Sequence, residues 1–149
     1  KFMESRNNQY SHIVSSKMLN LLMIKGKKNA AKKILSISLE QSFKTLGTDT
    51  KSVILTKAVF NASPDLEIKT KKVGTSLYHI PRSITIEKKI KIGIKFILEA
   101  ARSRKEYTMI DRLSAELTDA YNYRGVAIKK KEEVHKIAES NKSFSHFNW

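Results

Sequence analysis

The sequence predicts a mainly α fold, six helices with a β-hairpin arm inserted between the third and the fourth. Three observations carry this. Over most of the chain apolar residues recur every three or four positions, between Asp65 and Ile86 the period drops to two, and Gly26, Gly47, Pro64, Gly74 and Gly125 stand where the patterns break.

Residues 1–10 show no apolar periodicity and read as an extended arm, with Lys1 and Arg6 available to phosphate. Val14, Met18, Leu21, Leu22 and Lys25 then repeat at helical spacing, and Gly26 stops this first helix. A second places Ala31, Ile34, Leu35, Ser38, Leu39 and Phe43 on one side and ends at Gly47. The third opens near Thr48 or Asp49 and carries Val53, Ile54, Ala58 and Val59. It must stop before Pro64, because the residue preceding proline disfavours helix.

Residues 65–86 hold two strand-like runs, Leu66–Val73 and Leu77–Ile86, separated by Gly74, Thr75 and Ser76 as a three-residue turn. Leu66, Ile68 and Thr70 form a face that can pack, while Glu67, Lys69 and Lys71 form a charged one. Pro81 lacks an amide donor, which confines its strand to an edge. Helical spacing resumes with Ile90, Ile94, Ile97, Leu98 and Ala101 beneath Lys88, Lys91 and Lys95, and this fourth helix ends at Arg102 and Arg104. Thr108 can cap a fifth helix with Asp111 in its first turn and Ile110, Leu113, Leu117, Ala120 and Tyr121 inward. After Gly125 the last helix begins near Val126, exposes Lys129, Lys130 and Lys131 in its opening turns, and turns Val134, Ile137, Ala138 and Asn141 to one side.

The 149 residues suit one domain, and a 40% hydrophobic content with few Pro and Gly is enough to fold it. Lys and Arg number 29 against 14 Asp and Glu, a net charge of +15 that attracts polyanions. Nucleic acid is the first candidate. The longest apolar stretch, Met18 to Ile24, is interrupted by Asn20 and too short to span a bilayer, so no membrane partner is expected; no secretory signal is visible. Cysteine is absent, which excludes disulfides and thiolate chemistry. His12, His79, His135 and His146 are scattered without metal-ligand spacing, and no carboxylate cluster or nucleophile with a base stands out. Neither an enzyme, a cofactor nor a small-molecule substrate is expected.

Four basic groups are candidates for phosphate. Lys25, Lys27 and Lys28 flank a turn where backbone donors could help cradle an anion, although the spacing is not that of a P-loop. Lys69, Lys71, Lys72 and Arg82 line the hairpin, where lysines also guard exposed strand edges. Arg102 and Arg104, then Lys129, Lys130 and Lys131, are the clusters most readily explained by RNA, since local pairing with Glu132 and Glu133 is worth only about 0.2–0.5 kcal/mol per pair. Tyr78 can stack on a base or pack on the body. Phe144, Phe147 and Trp149 close the chain beside His146 and Lys142.

The stretch Arg124-Gly125-Val126-Ala127-Ile128-Lys129-Lys130-Lys131-Glu132-Glu133, followed by His135, Ala138-Glu139, Asn141 and Phe144-Ser145-His146-Phe147, resembles the terminal signature of small-subunit ribosomal protein seven of the bacterial and organellar type. Other blocks agree in order: Gly26-Lys27-Lys28, Pro64 through Val73-Gly74 into Tyr78 and Ile80-Pro81, Ala100 to Arg104, and Leu113 to Ala120. The family usually has a second Gly where Thr75 stands, a basic residue at Asn148, and small residues where Ser143 and Ser145 stand.

The resemblance implies one ribosomal RNA-binding domain over 1–149 that holds the head domain of small-subunit rRNA and starts head assembly beside neighbouring head and platform proteins. It adds His135 and Lys142 to the rRNA-binding set named above. It also implies that the hairpin, through Val73, Gly74, Thr75, Ser76 and Tyr78, lies near tRNA and mRNA at the exit site. Abundant Lys, Ile and Asn point to an AT-rich genome, hence a mitochondrial ribosome ahead of a plastid or bacterial one. A DNA-binding helix-turn-helix regulator is the main rival, but it would gather base-reading side chains on one helix. Here the cations are spread over at least four elements. An enzyme acting on nucleic acid would need a metal-binding or nucleophilic cluster.

Overall fold

The computed structural model describes residues 2–47 and 49–143, with side chains from Gln9 onward. Among these are six helices and one two-stranded sheet, in the order α1 (Phe2–Leu22), α2 (Lys28–Leu46), α3 (Lys51–Ala62), β1 (Leu66–Val73), β2 (Ser76–Ser83), α4 (Ile86–Ser103), α5 (Met109–Tyr121) and α6 (Val126–Ser140). The fold class is the one the sequence predicts. The readings placed on Lys1, the side chain of Arg6, Thr48, and the closing Phe144, His146, Phe147 and Trp149 lie outside the described residues.

The extended arm is corrected: residues 2–10 belong to α1. No Gly or Pro interrupts the chain from Phe2 to Leu22, and Tyr10 packs edge-on against Phe60 of α3 with ring centroids 6.0 Å apart. Tertiary support therefore starts upstream of the first periodic apolar residue and carries the helix through a polar stretch of low propensity. The other end is shorter than expected. α1 stops at Leu22, and Lys25 and Gly26 take left-handed φ of 54° and 74° in a turn of their own.

One apolar cluster draws on every helix. Val14, Met18 and Leu22 of α1 meet Leu55, Ala58 and Val59 of α3, the Ile90, Ile94, Ile97 and Leu98 stripe of α4, Leu113 and Leu117 of α5, and Ala127 and Ile128 of α6. Each large buried side chain contributes roughly 1.5–3 kcal/mol of transfer free energy. Packing at this scale, more than helix propensity, fixes the bundle.

The buried face of α2 differs in part from expectation. Ser38 is buried as expected, but Phe43 is 40% exposed and Ser42 is buried in addition. Ser38 Oγ donates to Ile110 O at 3.1 Å and Ser42 Oγ donates to Ser114 O at 3.1 Å, so these two short side chains let α2 approach α5 closely with their hydroxyls satisfied. Gly93 serves the same purpose between α4 and α3: a Cβ there would lie 2.3 Å from Ser63 Oγ and 2.7 Å from Val59 O.

The third helix is capped by Thr50, beyond the expected Thr48 or Asp49; its hydroxyl accepts from Val53 N–H at 3.4 Å. Thr108 caps α5 as expected, accepting from Asp111 N–H at 3.2 Å while its own hydroxyl donates to the Asp111 carboxylate at 2.9 Å. On α6 the buried residues are Ala127, Ile128 and Ala138; Ile137, expected inward, is 45% exposed.

The strands pair antiparallel from Leu66↔Ser83 to Val73↔Ser76. The turn therefore contains two residues, Gly74 and Thr75, and Ser76 belongs to β2. Gly74 has φ 66° and Thr75 is not among the positive-φ residues, the pattern of a type II′ turn, which needs glycine only at its first central position. Ile86 opens α4 and is not part of a strand.

Candidate nucleic-acid interface

The ribbon is anchored at its root and open at its tip. Cross-strand partners share a face, so Ile80 lies with Glu67, Lys69 and Lys71. Ile80 is the one fully buried side chain of the ribbon, at 2% exposure, so the face expected to be simply charged is also the one that seats the arm. Both strands touch α6. Asp65 N–H donates to His135 Nε2 of α6 at 2.9 Å, Lys89 of α4 pairs with Asp65 at 2.6 Å, and Lys88 pairs with Glu67 at 2.5 Å. The bond from Lys89 is the main reason the Asp65 carboxyl sits below its usual value. His135, a candidate for rRNA, thus serves as an acceptor for the hairpin's first residues.

Farther out, Lys69 and Lys72 are exposed, Lys71 is half-buried, and Arg82 lies 4.0 Å from Glu67. Partial burial, then the charge of neighbouring Lys69 on the same face, hold Lys71 below the usual lysine value. Val73 and Tyr78 are half-buried, whereas Gly74, Thr75, Ser76 and Leu77 are exposed. The tip presents backbone, small polar side chains and the exposed Leu77, not a stacking aromatic.

Sequence reasoning missed a groove between α1 and α4. Lys17, Thr85, Glu87, Lys88, Lys91, Ile92 and Lys95 line it. Lys17 Nζ reaches the Glu87 carbonyl at 3.4 Å, while Lys91 and Lys95 have no ion-pair partner among the described residues. Like charges four apart on a helix repel by about 0.2–0.5 kcal/mol, a cost that a phosphate between them removes. The lysines of α4 were legible as its outer face; that Lys17 stands across from them was not, because 74 residues of chain separate Lys17 from Lys91.

Arg102 and Arg104 part company. Arg102 is exposed. Arg104 is half-buried and bound by three carboxylates: its Nε donates to Glu106 at 3.1 Å, and its Nη1 donates to Glu116 at 3.0 Å and Asp119 at 3.1 Å. Glu116 is fully buried. Its other oxygen accepts from Ala127 N–H at 3.2 Å and so caps α6, whose own N-cap, Gly125, has no side chain to offer. These carboxylates, Glu106 first, raise the Arg104 pKa further above the ordinary arginine value. Arg104 is therefore a clamp between α4, α5 and α6.

The lysine cluster of α6 is likewise only partly free. Lys129 is exposed, Lys130 pairs with Glu99 of α4 at 2.6 Å, and Lys131 lies 4.9 Å from the Tyr123 ring centroid. Both contacts come from residues that no local spacing reveals. At the α1–α2 turn the side chains of Lys25, Lys27 and Lys28 are exposed, but Lys27 N–H donates to Ile24 O and Lys28 N–H to Gly26 O, at 3.1 and 2.9 Å. The expected backbone cradle is therefore occupied by the turn itself. Lys142 is exposed just past α6.

The described residues contain no group of three or more His, Cys, Asp or Glu able to hold a metal, and no helix among them is long and apolar enough to cross a membrane. What they offer is cationic: side chains on the ribbon, the α1–α4 groove, the α1–α2 turn, the end of α4 and the start of α6. Such an arrangement has the chemistry to hold a folded polyanion by its backbone.

The pattern of the family described as Ribosomal protein S7p/S5e matches residues 2–142. Proteins named small ribosomal subunit protein uS7 are similar along nearly their whole length. That of Geotalea uraniireducens is 38% identical over 141 residues, covering 95% of this chain and 90% of its own. That of Acidiphilium cryptum is 39% identical over 142 residues with the same coverage. That of Desulfovibrio desulfuricans is 41% identical over 140 residues, 94% of this chain and 89% of its own.

Proposed function

The chain belongs to the ribosomal protein S7p/S5e family, and from that membership we propose that it is a structural component of the small ribosomal subunit that holds the head-domain rRNA by its phosphates. The observation that carries this reading is the family match over residues 2–142. The relatives quoted are ribosomal proteins and not enzymes. The RNA-facing set is Lys17, Lys91 and Lys95 in the groove, Lys25, Lys27 and Lys28 at the turn, Lys69, Lys71, Lys72 and Arg82 on the ribbon, and Arg102, Lys129 and Lys142. Lys130 and Lys131 join by exchanging an internal contact for a phosphate; Arg104 and His135 act through the fold.

The ribbon, rooted on α4 and α6 with an exposed tip, suits a second task at the exit site, where tRNA and mRNA pass and neighbouring head and platform proteins gather. The single charged surface of one apolar core supports one rRNA-binding domain. A place on the ribosome goes with the family; the compartment is a separate matter. Abundant Lys, Ile and Asn favour a mitochondrion over a plastid or the bacterial cytoplasm, whereas the relatives quoted are bacterial and lend the mitochondrial choice no support.

Tagged protein expressed in cells should sediment with small subunits and remain with them after the subunits are separated from large ones. Recovery in the free protein fraction alone would overturn the ribosomal role.

A further inference from the structure

Tyr107, in the loop between α4 and α5, is 95% exposed, more than any other large apolar or aromatic side chain among the described residues. A slack loop would make this uninformative, but the loop is pinned on both sides of the ring. Glu106 is held by Arg104 through its carboxylate, and its carbonyl accepts from Arg112 Nε at 2.6 Å. Thr108 is fixed as the cap of α5. With both neighbours fixed, the backbone at residue 107 is held in a conformation that presents the ring to solvent. The charges nearby are mainly cationic: Arg102 and Lys105 are exposed and lack an ion-pair partner among the described residues, Glu106 is committed to Arg104, and Asp111 accepts the Thr108 hydroxyl.

We propose that Tyr107 is a stacking platform for an unpaired base of bound RNA, with Arg102 and Lys105 taking the phosphates beside it. The proposal rests on the rRNA-binding reading above and names a contact within it. An aromatic face accepts any base, and adjacent cations hold the backbone that carries it. A protein partner could also bury a tyrosine, but two uncommitted cations, beside acids already engaged by Arg104 and by the Thr108 cap, favour a polyanion.

The test uses the full chain and a fragment of small-subunit rRNA containing the head domain. Tyr107→Ala should weaken binding roughly 5- to 100-fold, the range expected for one stacked base, and leave the salt dependence unchanged because no phosphate contact is lost. Tyr107→Trp should restore affinity, and ultraviolet cross-linking of the wild type should attach RNA at residue 107. The ring touches no core, so both variants should melt like the wild type. Salt-sensitive binding with no effect of Tyr107→Ala would overturn the platform and spare the rRNA reading. Absence of any RNA binding by the wild type would overturn both. Unchanged RNA affinity with failed incorporation into subunits would assign the ring to a protein neighbour and likewise reject the platform.

Discussion

Arg102 and Arg104 are two residues apart and look alike in the sequence, yet they do different work. The carboxylates that claim Arg104 lie up to fifteen positions away and reach it only because α5 folds back along α4. Removing Arg104 leaves Glu116 buried without its cation and still tied to the start of α6. Arg104→Ala should therefore destabilise the protein by about 3 kcal/mol, seen as a lower denaturant midpoint. Arg102→Ala should leave stability within about 0.5 kcal/mol and weaken RNA binding. Equal loss of stability in the two variants would show that Arg104 is not the clamp described. Ser42 and Gly93 escaped the sequence reading for a related reason: periodicity counts apolar residues, and close helix approach is built from small ones. By contrast, the Ile90, Ile94, Ile97 and Leu98 stripe was legible because a large apolar side chain at helical spacing has few places to go but the core.

At the scale of elements, the ribbon was recognisable by its change of period, but its limits were not. Ser76 reads as turn and Ile84-Thr85-Ile86 as strand; pairing across the ribbon and the start of α4 decide otherwise. The arm should divide into a root that belongs to the fold and a tip that does not. Replacing Val73–Leu77 by one glycine leaves Lys72 and that glycine as a two-residue turn. The body should then keep its thermal transition and its rRNA affinity, while subunits assembled with it show altered reading-frame fidelity. Failure of the variant to enter subunits would make the tip part of the anchor. The root carries a pH dependence. The folded-state value of Asp65 is depressed, chiefly by the hydrogen bond from Lys89, so its contribution is present above the ordinary aspartate value of about 3.9 and fades as pH falls through the lower folded one. Because Asp65 is exposed, the effect is small and local. Measured against the intrinsic exchange rate at each pH, amide protection in β1 should fall on acidification below about pH 4, and Asp65→Asn should remove that change.

For the whole molecule, the charge of +15 announced a polyanion, and the spread of cations over several elements argued for folded RNA held by its backbone. What the sequence could not show is which cations remain available. Folding commits Arg104 and engages Lys130, while it assembles the groove of Lys17, Lys91 and Lys95 from two separated helices. Lys95→Gln should lower the slope of log affinity against log salt by about one, and Arg104→Lys should not. The slope itself is the decisive quantity. For wild-type protein and a small-subunit rRNA head fragment, contact with about six to ten phosphates should cut affinity by ~10³–10⁵ between about 50 and 200 mM salt. An affinity that stays nearly level over that range would contradict recognition through phosphate neutralisation.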